Sequence, residues 1–416
     1  MLEVRYLSNK MPVVLEQTPS DNIISIGIFV KAGSNYETLS TRGMSHFVEH
    51  MLFKGTTSKS AKDIAIISDR IGGMLNAYTG KDMTCFYIKT TSDNLSIALE
   101  LMADMVLNSE MDPFQIENEK KVIIEEIAMY EDSHEDYVHE KLEEKVWEGN
   151  SLAFPILGLY ETVSSFNEAS LKDFINEFYL SQNTVISVSG SFETHSILYL
   201  LEHFFANYKT GVSLKTQNQE MATFKPITSV KRRKAEQAYL SMAFEGALYD
   251  SEDRYPYALL SGALGQSMSS RLFQVIREEK ALVYNIGSTN EFYQTGGIFN
   301  IYAGSSPEKY EEMIDSIGEI IMDVYTKGLS IEEIQRSKDQ ILCSMLLGME
   351  TTDSIMMSNG RNMLLRGRPL TRKEAIERVE KTTKEDVDRI VKKYLDWDKK
   401  AVSAIRPYAK KKKTKV

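Results

Sequence analysis

Two histidines four residues apart, His46 and His50, stand with Glu49 in the segment Met44-Ser-His-Phe-Val-Glu-His-Met-Leu-Phe53. On a helix these residues project side by side from one turn. Two neutral imidazoles can then reach one cation, and the carboxylate between them can reach a water beside it. The chemistry such a set supports is metal-assisted hydrolysis. Only six histidines occur in the chain, so two of them in a single turn beside a carboxylate are a concentrated signal. A catalytic zinc ion needs a third protein ligand and an open position. Candidates for that ligand lie on the stretch from Asp112 to Glu126, where Asp112 suits a helix cap and Pro113 a first helical turn. Glu119 and Glu126 are seven apart on it, two turns, and share a face. Acidic helix faces are ordinarily just solvated, and Glu117, Glu125, Glu131 and Glu135 read that way.

These residues need a scaffold, and its outline is legible. Met44, Phe47, Val48, Met51 and Leu52 form the apolar stripe of a helix packed on a core, with His46, Glu49, His50 and Phe53 on the neighbouring face. The chain also repeats itself. Ile24 to Val30 pairs with Ala238 to Phe244, Cys85 to Thr90 with Gly297 to Tyr302, and Asn183 to Gly190 with Lys400 to Ile405, all strand-like. Ile116, Lys120 and Ile123 are matched by Ile334, Lys338 and Ile341, which sets Ser337 and Ser344 where the first half has Glu119 and Glu126. The second half also lacks His-x-x-Glu-His, so the histidines and the distal carboxylates are missing together. The expected fold is α+β: two homologous domains, each a mostly antiparallel sheet packed against helices. By chain position these are 1–210, with the metal residues, and 226–416, without them, joined by a polar linker at 211–225.

The 416 residues exceed one ordinary core, and 42% hydrophobic with 26% charged residues is the balance of a globular protein. Two cysteines, Cys85 and Cys343, make no disulfide framework. No run of some 18 apolar residues appears, and the N-terminal decapeptide lacks the apolar region of a secretory signal. A cytoplasmic protein without a membrane span is expected. The net charge of −10 disfavours nucleic acid as a partner. The lysines at 410–413 and 415 read as a solvated tail.

With these residues in view, the sequence resembles the pitrilysin and insulinase class of inverted zinc metallopeptidases, and within it the processing-peptidase subfamily. His-x-x-Glu-His is that class's signature, and the likeness runs beyond it through His46-Phe-Val-Glu-His-Met-Leu-Phe-Lys-Gly-Thr56. The resemblance implies one Zn2+ per chain held by His46, His50 and Glu126, with Glu49 as general base and Glu119 as an accessory carboxylate. Leu75-Asn-Ala-Tyr-Thr79 resembles the edge strand along which the family lays an extended peptide, so Asn76, Ala77, Tyr78 and Thr79 are implied substrate contacts, together with Phe53. Arg277 and Tyr284 resemble an arginine and tyrosine pair that reaches substrate at the zinc. Ala281 between them stands where glycine is usual, at a helix end that favours a left-handed residue. A chain of this length supplies half of the family's closed chamber, which implies a homodimer, or a heterodimer with a related chain. The activity implied is endopeptidase; the alternative is a peptidase-like partner subunit without activity of its own.

Overall fold

The computed structural model describes residues 2–19, 22–348 and 351–408; the lysines at 410–413 and 415 lie outside them. The strands are β1 (Leu2–Tyr6), β2 (Pro12–Gln17), β3 (Ile23–Val30), β4 (Asn76–Thr79), β5 (Thr84–Thr91), β6 (Thr184–Gly190), β7 (Thr228–Arg233), β8 (Ala238–Glu245), β9 (Val283–Phe292), β10 (Gly297–Ser305) and β11 (Ala401–Pro407). The helices used below are α1 (Met44–Met51), α2 (Leu95–Asn108), α3 (Pro113–Asp132), α4 (His134–Val146), α5 (Arg254–Ser261), α6 (Ile331–Gly348) and α7 (Thr352–Arg366). No helix among the described residues is long and apolar enough to cross a membrane. Both cysteines are free, Cys85 buried and Cys343 exposed.

The fold is α+β, with two mixed sheets of matching topology. One runs β1-β2-β6-β3-β5-β4, the other β7-β11-β8-β10-β9. Each is mostly antiparallel with a single parallel pair, β2 with β6 and β7 with β11. Apart from the added β1, the strands correspond one to one, and the strand pairings read from the repeat fall on β3 and β8, β5 and β10, and β6 and β11.

By packing, the chain forms two compact units, one of Met1–Ala128, Phe154–Glu220 and Met345–Ala375, the other of Met129–Ala153, Met221–Ser344 and Ile376–Val416. The division at 211–225 is one of chain order; each unit also takes a segment from the other half of the sequence. In unit 1, Ile24, Ile26, Ile28 and Val30 of β3 point into a core shared with Phe47, Val48 and Met51 of α1 and Leu99 and Met102 of α2. The opposite face of β3 carries Ser25, Gly27 and Phe29, and α7 covers it. Thr352 meets the Ser25 hydroxyl at 2.7 Å, and the Ser187 hydroxyl of β6 donates to the Met356 carbonyl at 2.9 Å. A Cβ on Gly360 would come within 2.1 Å of the Phe29 ring, so the helix seats this closely only because it has none. Helices on both faces explain why β6 is buried along its whole length. In unit 2, α4 supplies the equivalent cover: Leu142 and Val146 pack with Ala243 and Ala401, and Val138 with Ile405.

Candidate metal centre

Helix α1 is anchored at its start by a residue that the sequence pattern does not single out. The buried Glu37 carboxylate accepts from the backbone N–H of Gly43 and of Ser45, each at 2.7 Å, and so satisfies two donors of the first turn. Burial pushes the Glu37 pKa up to about 7 against the opposing pull of these bonds. Met44, Phe47, Val48, Met51 and Leu52 are all buried, so the expected stripe locks the helix's rotation and fixes which way His46, Glu49 and His50 project.

Helix α3 brings the carboxylates. The Asp112 side chain accepts from the Phe114 N–H at 2.9 Å, as a cap ahead of Pro113 should, and Ile116 and Ile123 are buried beneath the helix. That orientation turns Glu119 and Glu126 toward α1, while Glu117, Glu125, Glu131 and Glu135 are exposed. His50 donates through Nδ1 to Glu119 at 2.7 Å, and Lys54, one turn further along, meets the other oxygen of Glu119 at 2.6 Å. Burial works to raise the Glu119 pKa, but the hydrogen bonds and charges of His50 and Lys54 outweigh it, and the net displacement is downward. With Nδ1 committed as donor, His50 presents the lone pair of Nε2. That atom lies 3.1 Å from Nε2 of His46, and each Nε2 is 3.9 Å from Oε2 of Glu126. His46 is held neutral by burial first and the neighbouring His50 second, its pKa lowered to about 3.

Three donor atoms that converge in this way suit a small cation. Zn–N and Zn–O bonds of about 2.0–2.1 Å arranged tetrahedrally have donor-to-donor edges of roughly 3.3–3.4 Å. The observed edges of 3.1, 3.9 and 3.9 Å bracket that value. Among the described residues, His46, His50 and Glu126 are the group of histidine and acidic side chains whose ligand atoms all lie within 4.8 Å of one another. Beside them Glu49 is buried, which raises its pKa, and one of its oxygens accepts the Thr79 hydroxyl proton. Thr79 ends β4, the outermost strand of its sheet, so Asn76, Ala77, Tyr78 and Thr79 do lie on an edge. Phe53 follows α1 and packs, partly buried, against the cluster of Ile64, Leu101 and Met105, as Leu75 does. All of these residues belong to unit 1.

Comparison with known proteins gives the arrangement its context. Residues 12–159 match the family described as insulinase, peptidase family M16, and residues 165–341 match the peptidase M16 inactive domain. A Bacillus subtilis protein described as an uncharacterised zinc protease, YmxG, is 36% identical over 94% of this chain and 95% of its own length. The chain belongs to peptidase family M16. Another relative, an uncharacterised zinc protease of Rickettsia felis, shares 34% identity over 92% of each chain. In solved structures the fold of this M16 chain recurs in a protease from Helicobacter pylori (TM-score 0.88, 19% identity, 98% and 99% of the two chains). It recurs again in a peptidase M16 inactive domain from Pseudomonas fluorescens, with a TM-score of 0.91 at 19% identity over 99% of both chains.

Unit 2 of this M16 chain shows what the same framework becomes without ligands. Helix α5 follows β8 as α1 follows β3, and α6 corresponds to α3. Where His50 meets Glu119 in unit 1, Gly262 at the end of α5 meets Ser337 of α6: a Cβ on Gly262 would lie 2.1 Å from the serine hydroxyl, which donates to the Leu259 carbonyl at 2.9 Å. Beside that seam Ser288 of β9, the strand that corresponds to β4, meets Ser261 at 2.9 Å. Arg277 and Tyr284 belong to unit 2 and are exposed, Arg277 stacked 4.7 Å over the Phe273 ring and Tyr284 60% exposed on β9, an edge strand. Ala281 between them has φ of 49°, the left-handed conformation its position suggested. Glu37 and Lys54 are the functional partners that sequence reasoning passed over. For Lys54 a signal existed, since it stands one turn after His50; for Glu37, in a polar loop six residues before Gly43, there was little.

Proposed function

We propose that this chain is a zinc-dependent endopeptidase that hydrolyses peptides or unfolded segments. The observation that carries the reading is the convergence of the His46, His50 and Glu126 ligand atoms beside a buried glutamate that an edge strand holds in place. Zn2+ bound by these three residues would supply Lewis acidity toward the scissile carbonyl and acidify water toward neutral pH. Glu49 acts as the base that takes the proton from the attacking water and returns it to the leaving amine. Its burial favours the uncharged form, so accepting a proton is not resisted, and Thr79 fixes the carboxylate's rotamer while leaving its second oxygen available. Glu119 fixes His50 through Nδ1 and keeps Nε2 as the ligand atom. A peptide paired with β4 would have its main-chain groups satisfied whatever its sequence.

The assembly proposed is a dimer, of two copies or of this chain with a related one, that encloses the site. Arg277 and Tyr284 would act from the second subunit by donating hydrogen bonds where oxyanion charge develops. Two free thiols suit a reducing, cytoplasmic setting. Hydrolysis of an internally quenched peptide tests the activity. It should stop with chelator, return with Zn2+, and fall by about 10²–10⁴-fold in Glu49→Gln while the variant still binds one zinc. A Glu49→Gln protein that cleaves at the parent rate refutes the reading.

A further inference from the structure

Basic residues are gathered at one end of the unit 2 sheet. Strand β7 is an edge strand and pairs in parallel with β11, so the two strands end together. Lys231, Arg232 and Arg233 end β7, Lys234 follows them, and Arg406 stands near the end of β11. The sequence after Tyr408 adds the lysines at 410–413 and 415. Residues 228–236 and 401–416 thus hold ten lysines and arginines against one acid, Glu236, in a chain whose net charge is −10. The rest of the chain is therefore more acidic than its total suggests.

Neighbouring groups hold this charge in place without neutralising it. Lys231 donates to the Tyr137 hydroxyl at 2.8 Å. The Arg233 guanidinium lies 3.7 Å from the centre of the same ring and donates to the Glu131 carbonyl, while Arg232 donates to the Pro407 carbonyl at 3.1 Å. Among the described residues none of Lys231, Arg232, Arg233 and Lys234 forms an ion pair; Arg406 does, with Glu311 at 2.5 Å. In the ladder Arg406 stands directly opposite Arg232, a like-charge pairing that works against the sheet. Both arginines line a cavity of about 650 Å³ with Tyr408, Glu236 and Glu308. Apolar groups are exposed at the same place, Tyr408 at 62% and Val230, on the same face of β7 as Arg232, at 49%.

Edge strands are commonly blunted with charge, and a single lysine serves that purpose. Bases on both faces of the strand end, opposed across the ladder and continued by five lysines in sequence, go further and fit a counter-surface of negative charge. We infer that the end of the β7–β11 pair, with the lysines that follow Tyr408, docks the protein on an anionic phospholipid surface. Clusters of lysine and arginine are drawn to anionic headgroups, and aromatic side chains lodge at headgroup level. Val230 favours lipid over nucleic acid, because an aliphatic side chain gains from the acyl boundary and offers a base no ring to stack on. The inference stands apart from the peptidase reading and uses none of its residues.

The test is co-sedimentation of the full chain with vesicles of phosphatidylcholine alone and of phosphatidylcholine mixed with phosphatidylglycerol, at low and high salt. Binding is expected to the mixed vesicles only, and it should weaken as salt rises. Arg232→Gln combined with Lys234→Gln should lower the partition coefficient about 25-fold, roughly fivefold for each charge removed. Replacing the lysines at 410–413 with glutamine should lower it further. Tyr408→Ser should weaken binding several-fold yet leave its salt dependence as in the parent, since the ring carries no charge. Arg232, Lys234 and Tyr408 are exposed, and thermal melts confirm that the variants fold. Four results overturn the inference: no binding to the mixed vesicles, equal binding to both kinds, tighter retention on single-stranded RNA than on mixed vesicles, or a strand variant that binds like the parent.

Discussion

Replacing Glu119 offers the sharpest measure of how the second carboxylate serves the metal centre. Its carboxylate is 3% exposed, accepts the His50 Nδ1 proton at 2.7 Å and pairs with Lys54 at 2.6 Å. Glu119→Gln keeps an acceptor for His50 but removes the charge. A charge-assisted hydrogen bond contributes about 1.5–3 kcal/mol against roughly 0.5–1.5 kcal/mol for a neutral one. The imidazole therefore loses about 1–1.5 kcal/mol of support, close to tenfold in zinc affinity. Glu119→Ala removes the acceptor entirely and should cost about 100-fold, the upper end for partners of a ligand histidine. Competition for zinc against a chromophoric chelator gives the affinities, and melts of the metal-free proteins keep folding separate from binding. The expected order is parent, then Gln, then Ala. Equal affinity in all three, with unchanged melts, would refute the view that Glu119 acts through His50.

Two other outcomes follow from unit 2. Glu49→Gln and Arg277→Ala should each be inactive as pure preparations, whereas an equimolar mixture after subunit exchange should regain about a quarter of parent activity. Random pairing makes half the dimers mixed, each with one intact composite site. No recovery after exchange is verified by mass spectrometry would exclude action of Arg277 across subunits. Ala281→Gly should stabilise by about 0.5–1 kcal/mol, because the left-handed φ of 49° strains any residue with a Cβ. A thermal midpoint raised by about 2 °C is the expected reading, and a lowered midpoint would show that strain is not what Ala281 contributes.

The histidine turn and the repeated strands were legible because each is written in local spacing, an i to i+4 pair and an alternating run; the edge position of Asn76 to Thr79 came from the family resemblance, since its residues alone read as an ordinary strand and turn. The two-sheet α+β fold followed from the repeat. Helices α4 and α7 were not legible as covers for sheets on the other side of the sequence midpoint. Helix α7 hides its purpose because it packs through Gly360, Met356 and the Asn359 amide, which bonds Glu16 at 2.6 Å, rather than through a leucine stripe. The Glu37 cap was hidden for a similar reason, since its partners lie across a loop where no periodicity operates. The grip of Thr79 on Glu49 spans thirty residues, and only the sheet brings it about.

The seam between α5 and α6 in unit 2 has a consequence for how the two halves respond to metal. There Gly262 and Ser337 close the helices by contact and one hydroxyl bond, so that half is finished by its own sequence. At the equivalent seam of unit 1 the Nε2 atoms of His46 and His50 and the Glu126 carboxylate face one another, and lone-pair groups left so are poor glue. Under the proposed function, bound metal would therefore tighten unit 1 alone and leave the seam of unit 2 as it is.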